Sequence, residues 1–176
     1  MSESRSAAGY FIVFEGPDGG GKTTQSQGLA TRLQELNYDV KWTREPGGTA
    51  LAELIRDVVL KDMSYGHISP SVEALLLSAA RSQHIEEVIR TNLEAGRVVV
   101  CDRYKYSTIA YQGFARGQSM ERILMLKTLV QAGLEPDCTF LLEAPPEIGM
   151  ARARDTQDLQ RREFLLQSPP VRLHVL

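Results

Sequence analysis

The chain has 176 residues, with 20 Lys+Arg against 22 Asp+Glu for a formal net charge of −2, and 43% apolar against 24% charged residues. That composition fits one globular domain with a single core and is too apolar for a disordered chain. The charge balance offers no basic face for nucleic acid, and no run approaches the roughly 18 apolar residues that suggest a membrane span. Met1 to Gly9 is small and polar with no apolar signal region, so it reads as a flexible leader on a cytoplasmic protein. From Tyr10 onward, short apolar runs alternate with longer helical stretches. Tyr10 to Glu15, Asp39 to Arg44, Arg97 to Asp102 and Cys138 to Glu143 are brief, β-branched or aromatic runs of the kind that fill a parallel sheet.

Between those strands, Lys22 to Leu36 reads as a helix, and Ala50 to Lys61 carries Leu51, Leu54, Ile55, Val58 and Val59 on one stripe. Ser69 and Pro70 form an N-cap and first-turn pair, with Gly96 as the stop of a long helix between them. Ser119 to Ala132 repeats the pattern with Gly133 as its stop. Pro145 and Pro146 open a helix running toward Arg152, Arg154, Arg161 and Arg162, and the last residues, VRLHVL, suit either a short edge strand or no regular structure. The alternation predicts an α/β fold, three layers in α/β/α order around a parallel sheet of four or five strands, in a single domain over 10–176. Cys101 and Cys138 are too few for a disulfide framework or a zinc site and read as buried free thiols of a reducing compartment.

Gly16, Pro17, Asp18, Gly19, Gly20, Gly21, Lys22 and Thr23 spell G-x-x-x-x-G-K-[ST], with Thr24 next, between a predicted strand and a predicted helix. The chemistry needs each part. Glycines let successive backbone N–H groups turn inward onto phosphate oxygens, and the helix start adds its dipole. Lys22 reaches the terminal phosphates as a point charge, and the Thr23 hydroxyl is placed for Mg²⁺. The motif in this context defines a P-loop NTPase fold that binds a nucleoside triphosphate. What receives the phosphoryl group must be read elsewhere.

Three further segments bear on the acceptor. Asp102, Arg103 and Tyr104 lie at the carboxyl end of the third strand, which in a parallel sheet faces the ligand crevice. A carboxylate there can hold Mg²⁺ or take a proton, and an arginine can clamp a phosphate, although a plain Asp–Arg surface pair is also open. Thr43 to Thr49 (TREPGGT) forms a rigid turn that puts Glu45 nearest metal and acceptor, with Arg56 on the next helix able to reach back to an anion or simply lie solvated. Ser107 shares a helix face with Tyr111, and Thr108 with Gln112, offering hydroxyls and an amide to a base or sugar edge. Leu77, Arg81 and His84 share a face of the long helix, and His84 by itself reads as a surface histidine.

The segments FEGPDGGGKTT (14–24), TREPGGT (43–49), LAELIRDVVL (51–60), ALLLSAARSQH (74–84), CDRYKYSTIAYQGFARG (101–117) and GLEPDCTFLLE (133–143) together resemble bacterial thymidylate kinase, which phosphorylates dTMP to dTDP with ATP. The resemblance implies a P-loop nucleoside monophosphate kinase with ATP and Mg²⁺, a cytoplasmic homodimer pairing through helices, and neither nucleic acid nor membrane as partner. It implies that Lys22, Thr23 and the loop hold the ATP phosphates and metal, with Asp102 and Glu45 near the metal and the transferred group. Asp18 faces the sugar 3′-OH, Arg56 and Arg103 hold the dTMP phosphate, and Leu60 lies in the acceptor site. Arg81 and Gln112 read the thymine beside Ser107 and Thr108, and Tyr111 guards the sugar against a 2′-OH. The loop itself lacks an arginine, so the resemblance implies a catalytic arginine, Arg161, brought by a lid around 152–163.

The chain departs from the family in three places. Leu77 stands where the family has a phenylalanine that stacks on thymine, Gln160 stands where the lid has an aspartate, and after the lid the family continues through elements that FLLQSPPVRLHVL does not resemble. Two alternatives follow from those departures: a nucleotide-binding remnant with impaired catalysis, or a kinase for another nucleoside monophosphate.

Overall fold

The structure, a computed structural model, describes residues 9–60, 66–145 and 149. Strand β1 (Tyr10–Glu15) decides the layering. Side chains alternate across a strand, and here both faces are apolar. Phe11 and Val13 pack with Val99, Cys101, Ile85, Ile89 and Tyr104 on one side, while Ile12 and Phe14 pack with Val100 and Ala30 on the other. A strand buried on both faces belongs in the middle of a parallel sheet covered by helices. β1 pairs in parallel with β3 (Val98–Asp102) and with β4 (Cys138–Leu141), and β3 pairs in parallel with β2 (Val40–Arg44). The order is β2-β3-β1-β4, an all-parallel four-stranded sheet among the described residues.

Helix α1 (Lys22–Glu35) covers the Ile12 and Phe14 side. The other side is covered by α3, which runs over 70–94, and by α5 (Met120–Gln131), while α2 (Ala50–Leu60) packs against α3 through Ala52, Ile55, Val59 and Ala80. The chain therefore leaves β1 and β3 toward opposite faces of the sheet. The carboxyl ends of those adjacent strands form the crevice where an open α/β sheet takes its ligand.

The elements expected within the described residues are present, with ends shifted by a residue or two. Ser69 caps α3 through Val72 N, with Pro70 at its first position. Gly96 (φ 76°) and Gly133 (φ 79°) follow the helices they were expected to stop. Two features differ from the sequence expectation. The long helix winds as a π-helix over Ile85–Arg90, and the segment after β3 forms helix α4 over 105–115, π-wound from Ile109–Ala115. Cys101 is buried, and burial pushes its thiol well up, but Cys138 is only half-buried because β4 lies at the edge of the described sheet. The expected leader over 1–8, the helix beginning at Pro146, the lid with Arg161 and the VRLHVL segment lie outside the described residues. No helix among the described residues is long and apolar enough to cross a membrane.

Candidate active site

The loop between β1 and α1 has the shape its glycines allow. Gly16 sits at φ 146°, and a Cβ there would come within 2.4 Å of the Leu142 carbonyl oxygen, so any side chain would drive β1 away from β4. Gly21, the residue before α1, is left-handed (φ 88°) and leaves the helix without a side-chain cap. The first N–H groups of α1 thus remain for an anion. Lys22 is buried and its Nζ donates to the Pro17 carbonyl at 2.5 Å. Burial and the nearby Arg103 lower its pKa to about 7, against the pull of Asp18, Asp102 and Glu15. Thr24 is exposed on the first turn of α1.

Thr23 donates its hydroxyl to Asp102 Oδ2 at 2.5 Å, joining the loop to the end of β3. Asp102 Oδ1 is buried with no hydrogen-bond partner among the described residues. Buried carboxylate oxygens are rarely left so. A hydroxyl and a carboxylate oxygen side by side are the hard donors that Mg²⁺ accepts beside phosphate oxygens, so the residues present fit that ion.

Arg103 occupies a left-handed backbone conformation (φ 73°), uncommon for a residue with a side chain and frequent where structure is held for function. Its guanidinium is buried. It donates to Asp18 through Nη2, and to Gly16 O at 3.3 Å and Ser107 Oγ at 3.1 Å through Nη1. Burial opposes its charge, but Tyr111, Asp18, Glu15 and Asp102 more than restore it. The second oxygen of Asp18 accepts the Tyr111 hydroxyl at 2.6 Å. The acid inside the phosphate loop therefore ties together two residues expected on the acceptor side.

The segments expected to hold the acceptor border one cleft, open to solvent. Of the residues expected there, Glu45, Leu60, Leu77, Arg81, Arg103, Ser107, Thr108, Tyr111 and Gln112 all line it. Its mix of apolar wall with a few polar groups suits a nucleotide. Asp18 and Arg56 are not in that wall: Asp18 bridges behind Arg103 and Tyr111, and Arg56 Nη1 donates to the Pro46 carbonyl at 2.8 Å, on the turn that borders the cleft.

Glu45 is buried in the cleft wall. Its Oε2 meets Arg81 Nε at 2.5 Å and its Oε1 meets His84 Nδ1 at 3.1 Å. Arg81 also donates to the Tyr104 carbonyl at 2.8 Å. Burial opposes the charge of both partners, yet each holds the other ionised, so Glu45 stays below the usual carboxylate range and Arg81 above the usual guanidinium value. His84 is not the surface histidine that its sequence suggests. It is fully buried, with Nε2 2.6 Å from Thr43 Oγ1, because the Thr43–Gly48 turn folds over it. A Cβ on Gly48 would lie 2.5 Å from its ring.

Several site residues were not expected from sequence. Val59, Glu73 and Arg116 complete the cleft wall, beside Pro46 and Tyr104 from the two segments that were expected to face the acceptor. Glu15, the last residue of β1, accepts from Tyr104 N at 2.9 Å, Tyr106 N at 3.1 Å and Ser107 Oγ at 2.8 Å, and so anchors the chain after β3. A carboxylate ending an apolar strand was the one available signal for it.

A phosphate loop at the end of β1, facing a cleft at the ends of β2 and β3, defines a P-loop phosphotransferase of the nucleotide kinase type. The family model described as "Thymidylate kinase" matches residues 14–168. Thymidylate kinase of Pseudomonas fluorescens (strain Pf0-1) is 50% identical over 161 residues, covering 89% of this chain and 76% of the relative. That of a Synechococcus species is 47% identical over 156 residues, covering 88% and 74%. The crystal structure of thymidylate kinase from Ehrlichia chaffeensis superposes with a TM-score of 0.72 at 40% identity, covering 84% of this chain and 83% of that one. The chain belongs to the thymidylate kinase family.

Proposed function

We propose that the two halves of this site divide the family's reaction between them, the loop taking the donor and the cleft the acceptor. The reaction is transfer of the γ-phosphoryl group of ATP to dTMP, giving dTDP on the route to dTTP, with Mg²⁺. On this reading the loop N–H groups and Lys22 hold the ATP phosphates. Thr23 and Asp102 hold Mg²⁺, which supplies charge neutralisation of the phosphate oxygens. Arg103 with Arg56 takes the dTMP phosphate, Arg81 and Gln112 take the thymine against Leu77, and Tyr111 and Asp18 border the sugar.

The acceptor phosphate is already an anion at neutral pH, so the chemistry needs placement and charge neutralisation more than a strong base. That assigns Asp102 to metal and orientation, and makes Glu45 a positioning residue acting through Arg81. The lid arginine, Arg161, supplies further positive charge in this proposal. The observation that carries the reading is the pair of contacts made by Asp18, an ion pair with Arg103 through one oxygen and a hydrogen bond accepted from Tyr111 through the other: they couple donor loop and acceptor cleft in one hydrogen-bonded unit.

The test is a coupled assay of dTDP formation from dTMP and ATP·Mg²⁺. Lys22→Ala is expected to abolish turnover. Arg103→Ala is expected to raise the KM for dTMP much more than that for ATP, and the opposite ranking would place Arg103 on the donor instead.

We extend the proposal to a homodimer in the cytoplasm. Three adjoining helices leave large apolar side chains exposed: Leu51 and Leu54 on α2, Val72 and Leu75 on α3, Met125 and Leu129 on α5. Exposed apolar groups on adjoining elements favour a partner surface. The free thiols of Cys101 and Cys138 suit a reducing compartment.

A further inference from the structure

Gln112 is buried in the cleft wall on α4, and its amide is held from one side. Its Nε2 donates to Glu73 Oε1 at 2.8 Å, and the other oxygen of Glu73 pairs with Arg116 Nη2 at 3.1 Å. Glu73 stands on the first turns of α3, four residues before Leu77 and on the same helix face. A carboxylate can only accept, so the end of the amide at Glu73 must be the NH₂ group. The oxygen is therefore the end left for the cleft that Gln112 lines. A carbonyl oxygen that faces a ligand cleft can accept from a ligand that brings an N–H.

We propose that Glu73 is the specificity-determining residue of this cleft, because it locks the Gln112 amide with its carbonyl toward the base. This rests on the assignment of the cleft to dTMP. Thymine presents an N3–H donor on its pairing edge, which the locked carbonyl accepts. Cytosine presents a lone pair at N3, which the same carbonyl repels, and the lock prevents the amide from turning its NH₂ round to meet it. Uracil carries the same N3–H as thymine, so the lock does not separate dUMP from dTMP. Arg116 takes the remaining carboxylate oxygen, so Glu73 has no reason to swing away from Gln112. Discrimination of this kind is built as much from the penalty on the wrong base as from attraction to the right one.

The test is calorimetric binding of dTMP, dUMP and dCMP to the full chain and to Glu73→Gln and Glu73→Met. Glu73→Gln can donate as well as accept, so it no longer dictates the amide's orientation, and Glu73→Met offers only a weak thioether acceptor in place of the carboxylate. In either variant the affinity for dCMP relative to dTMP is expected to rise roughly tenfold, the size of one hydrogen bond exchanged for a repulsion. The ratio of dUMP to dTMP is expected to stay where it was. Loss of affinity for all three nucleotides together, or no change in any ratio, would overturn the inference and reduce Glu73 to a packing role. Failure of the unaltered protein to bind dTMP would instead remove the assignment of the cleft itself. Glu73 lies in the first turns of α3 and Glu73→Met keeps its length, so one variant remains informative if the other is unstable.

Discussion

Lys22 is the residue whose setting most directly opposes its own charge. Unfolded, its amine holds a proton to about pH 10.5; folded, burial and Arg103 bring that down to about 7. Between those two values the unfolded chain binds more protons than the folded one, so stability must rise with pH across that window as far as this group is concerned. Below about pH 7 the buried ammonium is a full cost. Lys22→Met removes it at similar length, and is expected to raise the Tm of the ligand-free protein at pH 7 while abolishing phosphoryl transfer. The gap in Tm between variant and parent should close as the pH approaches 10. Triphosphate binding reverses the argument, because its charge restores the ammonium. ATP binding above pH 7 should therefore take up a proton, measurable as a binding heat that depends on the ionisation enthalpy of the buffer, and Lys22→Met should lose that dependence. Leu77 poses a different question at the same scale. It offers apolar contact in the cleft but no ring face, and base–aromatic stacking is worth ~1–3 kcal/mol. Leu77→Phe is expected to tighten dTMP binding by roughly tenfold on that basis, read by calorimetry, with little change in kcat.

At the scale of elements, the turn over Thr43–Thr49 and helix α3 work as one piece. His84 bridges Thr43 to Glu45, and Glu45 holds Arg81 one turn back on the same helix. Gly48 lets the turn close on the His84 ring: it is left-handed (φ 88°), and a Cβ would stand 2.5 Å from that ring and 2.7 Å from Thr43 Oγ1. Gly48→Ala is expected to cost about 2 kcal/mol or more in backbone strain alone, and to raise the KM for dTMP through the displaced Arg81. A thermal melt and a KM comparison between the two substrates check both parts. This region also shows where sequence reading succeeds and where it stops. The strands and helices were legible because alternation, caps and glycine stops are local signals. The Gly-rich loop was legible because its motif is contiguous. The burial of His84 was not, since its partners lie 39 and 41 residues away in the chain and the histidine sits at an ordinary polar position of a helix. The π-wound stretches were missed for a related reason. They re-aim side chains by one residue per turn without leaving a mark in composition, and one of them carries Tyr111 and Gln112.

For the whole molecule, β1 and β3 send their following helices to opposite faces and thereby open one crevice, which is why residues from five separated segments could be expected to meet. What sequence could not supply was the network behind the cleft wall: Glu15 under the loop after β3, Glu73 and Arg116 behind Gln112. Each is a charged residue in an amphipathic or strand-end setting where solvent exposure is the ordinary outcome. The same logic applies to the outer surface. Leu75 on α3 is 55% exposed and Met125 on α5 is 66% exposed, and α3 packs between α2 and α5. If this face joins two copies of the chain, a charge placed on it must be buried unpaired on association. Leu75→Glu and Met125→Glu are therefore expected to halve the apparent mass in sedimentation at micromolar concentration. They should also make the Tm independent of protein concentration, where the parent's rises with it. Both substitutions sit at exposed positions, so neither should unfold a protomer. A parent that already sediments as a monomer, with a concentration-independent Tm, would show that the apolar face serves some other partner.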